Sequence, residues 1–242
     1  MPGAAAYARG MSTRVAVFVV SVVAALSVPA SADTLAPLYA KLKLRFTVNR
    51  PGAKTGWTAD GALKPIPLGR QVPPQRGVDF VFPAGTRIDA GAVPACHASD
   101  QQITRTGPSA CPPASRIGSG SAGLALGTTG ALDTKLSVFD GRRRLIFVFT
   151  STVGSVVRVL SGTIKGTHVK STIPRIVLPG GGEVAVFRLA LQLRAAGTSK
   201  RPLIRTPRTC PRSGRWTFTY LPRYDPPYGV QRSTSSMRCS LH

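Results

Sequence analysis

The chain has 242 residues and carries 32 Lys and Arg against nine Asp and Glu, a formal net charge of +23 at pH 7. A balance this basic favours solubility and attraction to polyanions and decides nothing about fold. Beyond the N-terminal stretch, no segment has the unbroken apolar length that a membrane-spanning helix needs, which excludes later helical spans.

Arg9 and Arg14 precede an apolar run from Val15 to Val28, and Pro29-Ala30-Ser31-Ala32 puts small residues where a signal peptidase reads. The pattern predicts a signal peptide over residues 1–32, cleaved after Ala32, with either Met1 or Met11 as its start. The apolar run is too short to cross a bilayer core of ~30 Å as a helix. Residues 33–242 keep 30 basic and nine acidic residues, a net +21. That length suffices for one sizeable core, and a single domain over 33–242 is expected. Arg outnumbers Lys 24 to 8 and is spread over the chain, as coding from a GC-rich genome also gives. The one tight cluster is Arg142, Arg143 and Arg144.

Lys41 to Val48 alternates strictly, with Leu42, Leu44, Phe46 and Val48 on one side and Lys41, Lys43, Arg45 and Thr47 on the other. That is the pattern of a half-buried antiparallel strand. Asn49 to Leu68 is rich in Gly, Pro and polar residues and reads as a loop anchored by Trp57. Gln75 to Phe82 returns to period two, with Val78, Phe80 and Phe82 on one face, and Pro83 ends it. Ser99 with Gln102 three residues on is a capping box. It predicts one short helix from Asp100 to Arg105, stopped by Gly107-Pro108. Strands are expected over Ser115 to Leu126 and Thr134 to Phe139. Asp140-Gly141 signals a hairpin turn before the strand Leu145 to Thr150, which puts the arginine cluster at a turn in water. Val156 to Ile164 and Thr167 to Ile173 form a hairpin about Gly166. Glu183 to Arg194 is a long strand. Arg215 to Tyr220 and Val230 to Cys239 close the chain as a pair, joined by the Pro-rich Leu221 to Tyr228. About ten short strands and one helical turn predict an all-β fold, an antiparallel β-sandwich.

Cys96, Cys111, Cys210 and Cys239 are an even set in the part expected to be exported, which predicts two disulfides. Of the three pairings the sequential one is expected, Cys96–Cys111 with Cys210–Cys239. On the chain-entropy account these stabilise by about 3 and about 3.6 kcal/mol. A metal centre is not expected, since no two Cys lie close and only His97 adjoins one.

Pro94 to Gly120 contains the pattern P-x-C…G-P-x-x-C-P-x-x-S-R-I-G-S-G, and Cys210-Pro211, Gly214, Trp216 and Cys239 form a late C-P-x-x-G-x-W…C element. Together they resemble a family of secreted, β-rich actinobacterial proteins. The resemblance implies an exported β-rich chain and implies no activity.

Catalytic patterns are absent from the sequence. There is no G-x-S-x-G nucleophile elbow. His97, His168 and His242 read as solvated side chains. Glu183 is the only Glu, and the eight Asp fall mostly at turns. Asp79 and Glu183 are the one carboxylate pair weighed for a glycosidase-type site, which needs a separation of about 5–10 Å. Gly118–Ser121 and Gly180–Gly182 open no helix and precede no Lys-Ser/Thr pair, so they are not phosphate loops. No nucleic-acid-binding signature appears, and no specific nucleic acid is expected. Phe218, Tyr220, Arg223, Tyr224 and Tyr228 interleave aromatic and basic residues, as a stacking surface does and as a packed hairpin also does. The expectation is a non-enzymatic binding or structural protein, secreted or held at the cell envelope, with no cofactor. Anionic wall polymers or lipid head groups are its expected partners and Arg142, Arg143 and Arg144 its contact point. The alternative is a secreted hydrolase whose site carries no recognised motif.

Overall fold

The structure is a computed structural model that describes residues 39–63, 72–128, 130–152, 155–179 and 181–240. The expected signal peptide, its cleavage point and His242 lie outside the described residues. The strands are β1 (Tyr39–Phe46), β2 (Trp57–Leu63), β3 (Gln75–Val81), β4 (Arg87–Ile88), β5 (Arg116–Leu126), β6 (Gly130–Asp140), β7 (Arg144–Ser151), β8 (Val156–Lys165), β9 (His168–Thr172), β10 (Val184–Leu193), β11 (Ile204–Arg205), β12 (Arg215–Tyr224) and β13 (Ser233–Arg238). The one α-helix among the described residues, α1 (Asp100–Thr106), lies between β4 and β5.

Eleven strands form one antiparallel sheet in the order β1-β2-β10-β5-β6-β7-β8-β9-β3-β12-β13, and β4 pairs separately with β11. The expected two-sheet sandwich is thereby corrected: a single sheet curls into a nearly closed barrel. The expected loop over Asn49 to Leu68 is corrected for the same reason. Within it β2 pairs with β1 on one side and β10 on the other. Removing β2 would cut β1 from the sheet and open the ring.

Antiparallel neighbours alternate in direction, so with an odd number of strands the two edges run parallel where they meet. Side chains join this seam as much as backbone does. Ser235 Oγ accepts the Leu44 N–H and donates to the Leu44 carbonyl, each at 2.9 Å. The Phe46 N–H donates to Met237 Sδ at 3.1 Å, and the Ser240 N–H donates to the Asn49 carbonyl at 2.9 Å. Unpaired edge groups invite association with other chains, and this closure occupies them.

The alternation read in β1 holds, with Leu42, Leu44 and Phe46 buried and Lys43 and Arg45 exposed. Inside the barrel Phe46 lies 4.8 Å from Phe218, and Trp57 lies 5.1 Å from Phe80, as ring centroids. Pairs at such distances contribute about 0.5–1.5 kcal/mol each beyond the area they bury. β7 is buried on both faces. Leu145, Phe147 and Phe149 point into the barrel, while Ile146 and Val148 lie under a second cluster with Phe139, Cys96, Cys111 and Ile103 of α1. The unbroken apolar run of β7 follows from this two-sided burial. The disulfide-closed corner is therefore a cover on the barrel's outer wall as well as the lead into β5.

The capping box forms as read. Ser99 Oγ accepts the Gln102 N–H, and the Gln102 side chain accepts the Ser99 N–H at 2.8 Å. Both expected disulfides are present, with Cα–Cα distances of 5.0 Å for Cys96–Cys111 and 5.7 Å for Cys210–Cys239. Buried Phe82, Ala196, Leu203 and Ile204 plug the end of the barrel nearest the disulfides. At β5 the wall tightens. A Cβ on Gly120 would lie 2.0 Å from the Ala190 carbonyl oxygen, so the strand requires glycine there. β12 runs past the expected stop at Tyr220 to Tyr224. Pro222 faces Val78 of β3 beyond the stretch paired with β13, an edge position that proline tolerates.

Candidate functional site

The arginine cluster lies at the plugged end, but not as a single patch. The central residues of the β6–β7 turn are Arg142 and Arg143, at φ 50° and 45°. Gly141 N–H closes the turn on the Arg144 carbonyl at 2.9 Å. The expected turn at Asp140-Gly141 is thus shifted. Positive φ at both central residues marks a type I′ turn, which normally takes Asn-Gly. For a residue with a Cβ this conformation costs roughly 1–2 kcal/mol. Two contacts hold it. Asp140 Oδ1 accepts the Arg142 N–H at 3.0 Å, and the Ile164 N–H donates to the Arg143 carbonyl at 2.9 Å.

Arg142 and Arg143 line an open groove of about 1170 Å³ together with Arg87, Asp89, Gly166 and Arg201. Arg144 does not join them. It turns toward β8 and α1, donating to Ser161 Oγ at 3.1 Å and pairing with Asp100 at 3.5 Å. Arg201 Nε donates to Asp89 Oδ2 at 2.7 Å, and this hydrogen bond holds the Asp89 carboxyl below its usual range. The only carboxylate of the groove is therefore committed. Arg87, Arg142 and Arg143 are exposed and form no ion pair among the described residues.

Beneath the turn Asp140 is 0% exposed, and burial pushes its carboxyl up to about 6. Its Oδ2 makes no hydrogen bond. Its carbonyl accepts the Cys96 N–H at 2.7 Å, so the turn and the disulfide corner share one support.

Asp79 and Glu183 are not brought together. Asp79 lies 3.0 Å from His168 Nδ1, across β3 and β9 on the outer face. Glu183 lies 2.6 Å from Arg76 at the far end of the barrel. What Glu183 shares a site with is Asp225. Arg76 reaches both, 2.6 Å from Asp225, and Arg175 lies 2.9 Å from Asp225. The hydrogen bond from Arg76 holds the Asp225 carboxyl below its usual range, and the two carboxylates raise the Arg76 guanidinium further. This is a clamp between strand ends, with Asp225 ionised. Sequence reasoning missed the Asp79–His168 pair because a diagonal cross-strand contact depends on register. Among the described residues no hydroxyl bonds to His168, so the pair has no nucleophile beside it.

Phe218, Tyr220 and Tyr224 are buried inside the barrel, the packed arrangement rather than a stacking surface. Among the described residues no three His, Cys, Asp or Glu side chains gather as a metal centre. No protein-family model, no curated protein and no solved structure matches the chain.

Proposed function

We propose that the protein is a non-enzymatic binding protein, and that its arginine groove holds a phosphate- or carboxylate-bearing polymer of the cell envelope. One observation carries this reading: adjacent arginines occupy both positive-φ positions of a turn that Asn-Gly would make without strain. Strained backbone tends to persist where function uses it. Here the strain places two unpaired guanidinium groups at the lip of a groove whose one carboxylate is already taken. Guanidinium forks match the oxygen pairs of phosphate and carboxylate. The excess of basic residues over the rest of the surface adds long-range attraction. Export rests on the N-terminal pattern and agrees with two disulfides, which persist in oxidising compartments.

The test is retention on inorganic polyphosphate, on purified cell wall and on anionic phospholipid vesicles across a salt series. Exposed contacts are screened over about 8 Å at physiological ionic strength, so retention on polymer should fall steeply with salt. It should also fall in an Arg142→Asn/Arg143→Gly variant. Retention on vesicles alone would assign the surface to lipid head groups. Equal retention of wild type and variant would remove the groove from the function.

A further inference from the structure

Asp140 is a buried titratable group that the polyanion reading leaves unused. Its side chain is 0% exposed at the end of β6, under the strained turn. Oδ1 accepts the Arg142 N–H at 3.0 Å, and Oδ2 makes no hydrogen bond. A buried carboxylate that stays ionised is normally held by several donors, and among the described residues this one has a single donor. Burial pushes the carboxyl up to about 6, and the charge of Asp89 adds to the rise. Asp89 lines the groove together with Arg142 and Arg143. A negative charge on the groove wall is thus already felt at Asp140, even with Arg201 bound to that charge.

The charged groups on the surrounding elements do not neutralise Asp140. In the turn, Arg142 and Arg143 are exposed. On β7, Arg144 faces Ser161 and Asp100. At β4, Arg87 is exposed, and Arg201 is committed to Asp89. Arg116 at the start of β5, Lys165 at the end of β8 and His97 beside Cys96 are exposed. Among the described residues none of these forms an ion pair with Asp140. An anion held by Arg142 and Arg143 therefore repels an ionised Asp140 and spares a protonated one. Coupling between two sites is reciprocal, so whatever factor protonation adds to anion affinity, the anion adds to proton affinity.

We propose that anion binding in the arginine groove takes up a proton onto Asp140, so that the groove holds its ligand more tightly in mildly acidic than in neutral surroundings. The linkage rests on the groove binding anions. The probe is trimetaphosphate, a cyclic anion whose own charge stays constant over this pH range, titrated at low salt into the full disulfide-bonded chain. Affinity is read from the amide shifts of Arg142 and Arg143, and protonation from the side-chain carboxyl carbon of Asp140. A coupling of about fivefold is at the low end for such linkages. It should raise the midpoint of the Asp140 titration by about 0.7 in pH when trimetaphosphate is saturating, and lower wild-type affinity by about threefold from pH 5 to pH 7. Histidines ordinarily titrate in the same range. The comparison is therefore Asp140→Asn, which keeps His97, His168 and the Oδ1 acceptor and removes only the titrating carboxyl. Its affinity should fall less over the same interval. If Asp140→Asn does not fold, the wild-type carboxyl titration decides alone. Binding with an unmoved Asp140 midpoint, or an equal fall in affinity for wild type and Asp140→Asn, overturns the linkage and leaves the groove standing. Absence of trimetaphosphate binding at Arg142 and Arg143 at every pH overturns both.

Discussion

Replacing Arg142-Arg143 with Asn-Gly should raise stability and lower anion binding in one step. Both arginines sit at positive φ, 50° and 45°. Relief of that conformation is worth roughly 1–2 kcal/mol at the glycine and less at the asparagine. The added freedom of glycine in the unfolded chain offsets about 0.5–1 kcal/mol. A net gain of about 1–2 kcal/mol remains, and for a chain of this size it corresponds to a Tm rise of roughly 2–8 °C. The same change removes two of the three unpaired arginines of the groove. At low salt, polyphosphate affinity should fall by at least about tenfold, or 1.4 kcal/mol. An Arg142→Lys/Arg143→Lys variant keeps both charge and strain, so its Tm should stay near that of wild type and much of its binding should remain. The assays are thermal unfolding by circular dichroism with disulfides intact and polyphosphate titration. A Tm that fails to rise would refute the strain argument. Unchanged affinity would refute the role of the turn.

Asp140→Asn should become relatively more stable than wild type as pH rises. The folded carboxyl is raised by burial from 3.8 to about 6. Its neutral form supports folding fully below about pH 4, and that support is lost as pH rises through 6, by at most about 3 kcal/mol at 1.36 kcal/mol per unit. Denaturant titrations from pH 4 to 7 check this, and a pH-independent difference between the two proteins would contradict it. Opening Cys96–Cys111 with a Cys96→Ser/Cys111→Ser variant should cost about 3 kcal/mol, lower Tm by roughly 6–12 °C, and expose Ile146 and Val148 under the corner. A Tm within a degree or so of wild type would show that the cover is held by packing alone. Ser235→Ala removes both hydroxyl bonds at the seam and should cost about 1–2 kcal/mol. Its specific mark is faster amide hydrogen exchange at Leu44, and unchanged exchange there would mean the seam is closed by other contacts.

Most of the wall is legible in the sequence because one face of each strand packs on the barrel interior, so period two survives. The helix and both disulfides are legible for local reasons, a capping box and an even cysteine set. β2 is not legible. Its Thr58-Ala59-Asp60-Gly61 core has poor strand propensity, and it is held extended by pairing with β1 and β10, which no local pattern records. Losing that one strand turns a barrel into an apparent sandwich. The turn departs from its dipeptide signal for a related reason. A turn centred on Asp140-Gly141 would set Val138 opposite Arg143 and Ser137 opposite Arg144. The observed register sets them opposite Phe147 and Val148, so packing on both faces of β7 overrides the turn dipeptide. The division of the arginine cluster follows from the same shift. Arg144 becomes a strand residue facing Ser161 and Asp100, and only Arg142 and Arg143 remain at the groove.

The most direct test of the binding account is amide chemical-shift mapping of the intact protein during titration with inorganic polyphosphate. The account predicts shifts concentrated at Arg87, Gly91, Arg142, Arg143, Gly166 and Arg201, saturating together and reversed by added salt. Shifts scattered over the basic surface without saturation, or centred on the Arg76–Glu183–Asp225 end of the barrel, would contradict it.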